Sequence, residues 1–149
     1  GLPSNLSGCV GERATINHGF KAVQIGASSW TAEALKLTMP ASVFSRSTEC
    51  HNQDKVSMGT IAARDALRVL QLTEQVAAAL ALASVQGVEL RQRQGELACD
   101  AYADGVAKLM ADVRGISAFL NEDRALDKEL RAAIAAIQTQ GWSVPQAKT

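Results

Sequence analysis

Apolar residues recur every three or four positions along most of this chain, which is the spacing of one face of an α-helix. The pattern predicts four helices, at about residues 15–39, 56–91, 97–120 and 126–138. Pro40 is expected to end the first helix and Gly141 the fourth, because proline and glycine commonly stop helices. Residues 1–11 lack this periodicity and are rich in Gly, Ser, Asn and Pro, so we expect an irregular loop there.

The centre of the second predicted helix, residues 76–85, is apolar on nearly every side. Such a helix has to be enclosed by neighbours, and a single domain of this length supplies few of them. We therefore expect partner chains, or further sequence of the same protein, to cover it. The predicted fold class is all-α, with long antiparallel helices forming part of a helical bundle, and residues 1–149 are treated as one helical segment.

Composition and charge exclude several kinds of partner. Lysine plus arginine equals aspartate plus glutamate, 15 against 15, so no net charge attracts nucleic acid or an anionic membrane. The apolar run between Glu74 and Glu89 is shorter than the ~20 residues that a membrane span requires, and no signal peptide opens the chain. Both features favour a soluble helical protein.

The cysteines indicate the cellular compartment. Cys9, Cys50 and Cys99 are an odd number without paired spacing. This argues against a disulfide framework and a zinc site, and is typical of a reducing cytoplasm. We therefore expect buried thiols and a cytoplasmic protein.

Residues 45–58 form a long polar segment between two apolar helical patterns. Its side chains include a carboxylate, a thiol, an imidazole and two amides, at Glu49, Cys50, His51, Asn52 and Gln53. Connecting loops are usually shorter and rich in Gly, Pro, Asn and Asp. Since binding residues are often carried on loops, we predict that this segment holds a ligand.

Several kinds of chemistry find little support in this segment. Cys50 and His51 are adjacent, whereas catalytic Cys–His pairs usually come together from distant parts of a sequence. The possible metal ligands do not stand at a recognised spacing; they are His18, Glu49, His51 and Asp54. Taken singly, Lys21 and Glu49 are typical solvated side chains and Asn52 a typical turn residue. The residues alone therefore predict a polar site and no particular reaction.

Three segments resemble a known family. They are Gly-Leu-Pro-Ser-Asn-Leu-Ser at 1–7, Asn-His-Gly-Phe-Lys at 17–21 and Glu-Cys-His-Asn-Gln-Asp-Lys-Val-Ser-Met-Gly at 49–59. In this order they are similar to the C-terminal part of the aromatic amino acid ammonia-lyases. The similarity continues through the Ala-rich helix to about Gln94, and the remaining residues match as helices that close the bundle. The resemblance implies the C-terminal portion of the ammonia-lyase fold.

The resemblance also implies a reaction and a cofactor. Family members remove ammonia from phenylalanine, tyrosine or histidine, and related aminomutases move the amine to the β-carbon. All use a methylidene-imidazolone electrophile formed from an Ala-Ser-Gly triplet, which this chain does not contain. We therefore expect a C-terminal fragment of a longer lyase chain, inactive alone, with the electrophile and the catalytic residues in a missing N-terminal region. A homotetramer with sites shared among subunits is also implied.

Five residues acquire roles by this resemblance. Lys21 and Ile25 correspond to positions that line the substrate pocket, Glu49 and Asn52 to residues that contact the substrate, and Gln53 to a neighbouring amide. His-Asn-Gln-Asp at 51–54 is similar to the phenylalanine enzymes, whereas histidine enzymes tend to read Asn-Gln-Glu-Asp.

The expected function is therefore conversion of L-phenylalanine to trans-cinnamate and ammonia. The alternatives are phenylalanine 2,3-aminomutase and histidine or tyrosine ammonia-lyase. An alternative of another class is a non-catalytic helical assembly module, in which the polar loop only caps helix ends.

Overall fold

The fold was obtained as a computed structural model, which describes residues 1–98, 104–139 and 142. These residues form four α-helices and no strand, which confirms the predicted all-α class. The helices are α1 (Lys21–Lys36), α2 (Gly59–Arg93), α3 (Asp104–Ile116) and α4 (Asp127–Gln138). Short 3-10 turns precede α1, at Ser4–Leu6 and Gly11–Ile16, and precede α2, at Ala41–Phe44 and Glu49–His51.

Two predicted helices are shorter in the structure than the periodicity indicates. The first begins at Lys21 instead of residue 15, because residues 17–20 form a turn in which Gly19 has φ 55°. The third ends at Ile116 instead of residue 120. The predicted start of the third helix falls partly on residues 99–103, and the helix stop at Gly141 also lies outside the described residues.

The end of α3 has a clear physical cause. The carbonyl groups that follow it accept hydrogen bonds from side chains elsewhere, instead of from the next turn of a helix. The guanidinium of Arg114 donates to the Ser117 carbonyl at 2.9 Å and that of Arg124 to the Ala118 carbonyl at 2.7 Å. Periodicity alone cannot reveal such competition, since the apolar spacing continues to Leu120.

Helix α2 is the centre of the fold, and the other three helices pack against it. Helix α1 runs antiparallel to its N-terminal half, where Arg68 Nε donates to Glu33 Oε1 at 2.9 Å. Helices α3 and α4 cover the C-terminal half. The main buried cluster joins α2 to all its neighbours and contains Phe20, Leu82, Val85, Met110, Val113, Leu120 and Leu126.

The apolar centre of α2 is enclosed to a greater extent than the sequence suggested. Of residues 76–85, Ala78, Ala79, Leu82 and Val85 are buried by the chain's own helices, whereas Leu80 remains 65% exposed. Leu67 and Leu70, about two and three turns after the start of α2, are also exposed. The expected need for a covering partner therefore narrows to exposed leucines of α2, which are Leu67, Leu70 and Leu80. By length and composition alone, α2 would also qualify as a membrane span, a test that core helices of soluble proteins pass too.

Gln86 ties together three segments that are far apart in sequence. Its side chain is fully buried. Its Nε2 donates to the carbonyl groups of Leu6 at 3.1 Å and Leu120 at 3.0 Å, and its Oε1 accepts from the Leu120 N–H at 3.1 Å and from Arg114 Nη2 at 3.3 Å. A buried amide is tolerated only when its donors and acceptors are satisfied. Here every polar atom of the amide has a partner.

Replacing Gln86 by Leu is expected to destabilise the protein by about 2–4 kcal/mol, because buried carbonyl and N–H groups of the Leu6 and Leu120 segments would lose their partners. The free energy of unfolding in urea measures the loss. Gln71→Leu, at an exposed position of the same helix, is the matched control and should change stability by less than about 0.5 kcal/mol. Equal effects of the two substitutions would contradict the role given to Gln86.

Candidate functional site

The polar loop of residues 45–58 is closed on itself by two sets of hydrogen bonds. At its base, Ser45 Oγ donates to the Val56 carbonyl at 2.9 Å and accepts from the Val56 N–H at 2.8 Å. Nearer its tip, the Thr48 N–H donates to the Gln53 carbonyl at 3.0 Å, and the Gln53 N–H to Thr48 Oγ1 at 2.9 Å. Because these bonds use backbone groups and short hydroxyls, they leave the long polar side chains available.

The tip of the loop has an unusual backbone. Cys50 and His51 both lie in the left-handed region, with φ 52° and 56°, a conformation that costs free energy in non-glycine residues and is concentrated at functional sites. The His51 ring is held by a 2.9 Å hydrogen bond between its Nδ1 and Ser47 Oγ. The Cys50 side chain is exposed and that of Cys9 partly so, so the expectation of buried thiols is wrong for Cys50. Cys99 lies outside the described residues.

Three of the predicted site residues are on this tip. Glu49, Asn52 and Gln53 are all exposed, and their side chains form no hydrogen bond or ion pair with the described part of the chain. A carboxylate and two amides that the fold itself does not use can serve a ligand. Among the described residues, no three His, Cys, Asp or Glu side chains are grouped so that they could hold a metal ion.

The other two predicted residues, Lys21 and Ile25, lie on the first two turns of α1. They are four residues apart and therefore share a face of the helix, and the Ile25 side chain is 61% exposed. Both line an open groove of about 390 Å³, on whose surface Asp123 and Arg124 also lie. The groove thus combines an apolar side chain with a lysine ammonium group at the start of a helix.

Asp123 holds the turn from which α1 begins. Its two carboxylate oxygens accept hydrogen bonds from the backbone N–H groups of His18 and Gly19, both at 2.7 Å. The Asp123 N–H in turn donates to Asn17 Oδ1 at 2.6 Å. The hydrogen bond from His18 is the main reason that the pKa of Asp123 lies below its ordinary value of 3.8; partial burial opposes it and the hydrogen bond from Gly19 adds to it. Asp123 is therefore ionised at neutral pH.

The structure does not bring the five predicted residues together within one chain. Lys21 and Ile25 are at the start of α1, and the polar loop follows its far end. A helix of the length of α1, Lys21–Lys36, spans about 24 Å at 1.5 Å per residue. Glu49, Asn52 and Gln53 do not line the groove of Lys21 and Ile25. The chain thus carries two separate groups of candidate residues.

Sequence reasoning did not identify Asp123 as part of either group. Its hydrogen-bond partners His18 and Gly19 lie more than a hundred residues earlier in the chain. The acidic turn Asn121-Glu122-Asp123 is, in sequence, an ordinary start of a helix. The carboxylate binds this turn only because the segment after α3 passes the N-terminus of α1 in the folded chain.

Comparison with known proteins identifies the family. Residues 1–115 match the family described as aromatic amino acid lyase. The chain is 37% identical over 138 residues to histidine ammonia-lyase of Caenorhabditis elegans, covering 93% of this chain and 19% of that protein. It is 38% identical over 123 residues to tyrosine ammonia-lyase of Cereibacter sphaeroides, covering 80% of this chain and 22% of that protein. The chain belongs to the aromatic amino acid lyase family.

Solved structures show the same fold. Histidine ammonia-lyase from Trypanosoma cruzi superposes with a TM-score of 0.80 at 26% identity, over 94% of this chain and 26% of that one. Tyrosine aminomutase from Streptomyces globisporus gives 0.81 at 29% identity, over 95% of this chain and 25% of that one. The predicted ammonia-lyase fold is thereby confirmed, and the match extends beyond Gln94, where the sequence resemblance was placed. The chain spans about a fifth to a quarter of the length of these relatives.

Gly19→Ala is expected to be much more destabilising than Gly11→Ala. Both glycines have positive φ, 55° and 78°, so each alanine carries a strain of about 1–2 kcal/mol. At Gly19 the new Cβ would also lie 2.6 Å from the Asn5 carbonyl oxygen and 2.9 Å from the Ser7 N, whereas nothing lies within 4 Å at Gly11. Thermal unfolding of the two variants measures the difference. Equal losses in both would show that the contact between the Asn5 segment and the start of α1 is dispensable.

Proposed function

We propose that this chain supplies substrate-binding residues to an enzyme that removes or relocates the amine of an aromatic amino acid, with L-phenylalanine as the favoured substrate. The observation that carries the proposal is the exposed tip of the polar loop. There, the side chains of Glu49, Asn52 and Gln53 form no hydrogen bond or ion pair with the described chain, although hydrogen bonds hold the backbone of the loop. Membership of the aromatic amino acid lyase family and the names of its relatives, which include histidine and tyrosine ammonia-lyases, support this class of reaction.

We assign to Glu49 the role of binding the amine of the substrate. An exposed carboxylate on a strained, hydrogen-bonded turn can hold an ammonium or amine group in one orientation. The neutral amides of Asn52 and Gln53 fix orientation by hydrogen bonds without adding charge. Positioning of this kind lowers reaction barriers by several kcal/mol in enzymes.

The preference for phenylalanine rests on the uncharged side chain of Gln53. Gln53 is an amide where the histidine enzymes are expected to carry a carboxylate, and an uncharged side chain at this position is compatible with an apolar ring. Ile25 offers the apolar surface that such a ring requires. The relatives named above act on histidine or tyrosine, so the assay has to compare all three amino acids. Formation of a β-amino acid instead of the acrylate would favour the aminomutase.

The proposal requires a methylidene-imidazolone group from outside this sequence, since the chain has no Ala-Ser-Gly triplet. That group supplies the electrophile that activates the substrate for loss of ammonia. The free carboxylate and amides of the loop fit such a site, because they can bind and orient an amino acid. This role does not require a buried cofactor-binding pocket in this chain. Without the remainder of the protein, the chain is expected to be inactive.

A homotetramer is the assembly that we assign to the complete protein. Two observations support association: the exposed leucines Leu67, Leu70 and Leu80 of α2, and the separation of the loop from Lys21 and Ile25. In a symmetric assembly, the loop of one chain can face the groove of another. Such sharing would complete a site that one chain leaves divided.

Glu49→Gln in the complete protein is expected to lower kcat/KM for the amino acid by about 100-fold, because a charged partner of the amine is lost. The melting temperature should stay within about 2 °C, since the exposed Glu49 side chain forms no hydrogen bond or ion pair with the described chain. Formation of the conjugated acrylate, followed by ultraviolet absorbance, measures the rate.

Glu12→Gln is the matched control for this experiment, since Glu12 is an exposed carboxylate far from the loop in sequence, and it should leave the rate unchanged. Intact turnover with lost stability in Glu49→Gln would favour the non-catalytic assembly module instead. If the unsubstituted protein forms neither an acrylate nor a β-amino acid, the enzyme assignment is wrong.

Leu67→Glu combined with Leu70→Glu is expected to dissociate the tetramer, because association would bury two unpaired carboxylates. Multi-angle light scattering of the complete protein should show a mass below that of four chains. Lys128→Glu, at an exposed position of α4, changes charge away from these leucines and should leave the mass unchanged. An unaltered mass in the double variant would exclude Leu67 and Leu70 from the interface.

A further inference from the structure

The start of α1, where Lys21 and Ile25 lie, has little packing of its own to fix it. The described residues Lys21, Ala22, Gln24 and Ile25 are exposed, and α1 contains no fully buried side chain. The helix has no side-chain cap at its first residue. Val23 packs against the core cluster, and the turn at residues 17–20 supplies the hydrogen bonds that fix the first residues of the helix.

Contacts from two distant segments hold that turn. On one side, the Phe20 N–H donates to the Asn5 carbonyl at 2.8 Å, and Phe20 itself is buried in the core. On the other side, the Asp123 carboxylate accepts the N–H groups of His18 and Gly19, at 2.7 Å each. The Lys21 N–H donates to the His18 carbonyl at 3.1 Å. His18 therefore links the two residues, because its N–H bonds to Asp123 and its carbonyl to the Lys21 N–H.

The segment that carries Asp123 is itself firmly placed. Three residues earlier, Leu120 is buried and its backbone is bound by Gln86 and by the Gly8 N–H, at 3.0 Å. One residue later, Arg124 forms an ion pair with Glu129 at 2.8 Å. The carboxylate thus connects a rigid part of the bundle to the exposed start of α1, and it lies on the same groove as Lys21 and Ile25.

We propose that Asp123 is a positioning residue of the substrate site: its carboxylate fixes the turn at residues 17–20 and thereby sets where Lys21 and Ile25 meet the substrate. The inference rests on the proposed function of the groove. It assigns no contact between Asp123 and the substrate. The two backbone hydrogen bonds need two acceptor oxygens, a requirement that an amide cannot meet because its nitrogen would face one of the N–H donors.

The test is a double-mutant cycle in the complete protein. Asp123→Asn is expected to lower kcat/KM about tenfold, mainly through KM, because the binding residues are no longer held in place before substrate arrives. In that background, Lys21→Met should lower kcat/KM by a factor at least about threefold smaller than in the unsubstituted protein. The reason is that Asp123→Asn has already displaced the lysine and weakened its contact with the substrate. Rates are normalised to the fraction of active sites.

Asp127→Asn provides the matched control. Asp127 is an exposed carboxylate four residues later that pairs with Arg131 at 2.8 Å, on the outside of α4. In its background, Lys21→Met should keep its full effect within about twofold. A purely structural role for Asp123 would lower stability and the active fraction but leave the cycle with Lys21 additive within the same limit, and that result would overturn the proposal.

Hydrogen exchange supplies a readout that does not depend on activity. Asp123→Asn should accelerate amide exchange at residues 18–25, and Asp127→Asn should not. If exchange is unchanged at these residues, Asp123 does not position them. If the protein shows no lyase or aminomutase activity but exchange responds as expected, the proposed function fails while the control of α1 by Asp123 stands.

Asp123→Glu is the second variant if the asparagine protein does not fold. It keeps the charge and both acceptor oxygens but moves them by one methylene group. The expected result is a rise in KM of less than about tenfold over the unsubstituted protein, with a smaller effect of Lys21→Met in the glutamate background. A glutamate variant with unaltered stability and a cycle additive with Lys21→Met would also contradict the proposal.

Discussion

The buried side chain of Gln86 is the interaction on which the arrangement of this chain depends. It is a polar group in the middle of the longest helix, and it is stable there only because Leu6, Leu120 and Arg114 satisfy all of its hydrogen bonds. Apolar packing alone would allow the N-terminal segment and the segment after α3 to slide along α2. The amide fixes both in one register, since a shift would leave buried carbonyl groups without donors.

The fixed positions of the N-terminal segment and of the segment after α3 place the start of α1, where the groove of Lys21 and Ile25 lies. With Leu120 fixed, Asp123 reaches the N-terminus of α1, and with Leu6 fixed, the Asn5 carbonyl reaches Phe20. Two neighbouring residues in the N-terminal segment, Asn5 and Leu6, have φ 54° and 55°, so this segment is held in a conformation that is unfavourable on its own. The core therefore determines the start of α1 through backbone hydrogen bonds together with the burial of Phe20.

The polar loop is built in the opposite way. Its backbone is closed by Ser45 and Thr48, and the side chains of Glu49, Asn52 and Gln53 form no hydrogen bond or ion pair with the described chain. Such a loop can change its binding residues without disturbing the core, which is compatible with a family whose members act on histidine, tyrosine and other aromatic amino acids. The groove and the loop are thus positioned independently of each other.

Local patterns in the sequence determined the elements of this protein. The spacing of apolar residues defined four helices in the correct order, and the segments at 1–7, 17–21 and 49–59 identified the family, because each depends on neighbouring residues only. The concentration of polar residues at 45–58 likewise marked a loop whose exposed carboxylate and amides the fold does not use.

Tertiary structure decided what involves residues far apart in the chain. The late start of α1 and the early end of α3 result from hydrogen bonds made by Asp123, Arg114 and Arg124, which compete with the helix and leave no mark on the apolar period. The separation of Lys21 and Ile25 from Glu49 follows from the length and direction of α1. Burial of Ala78, Leu82 and Val85 by the chain's own helices, with Leu80 left exposed, depends on which faces meet. Hydrophobicity identifies an apolar residue but does not specify its partner.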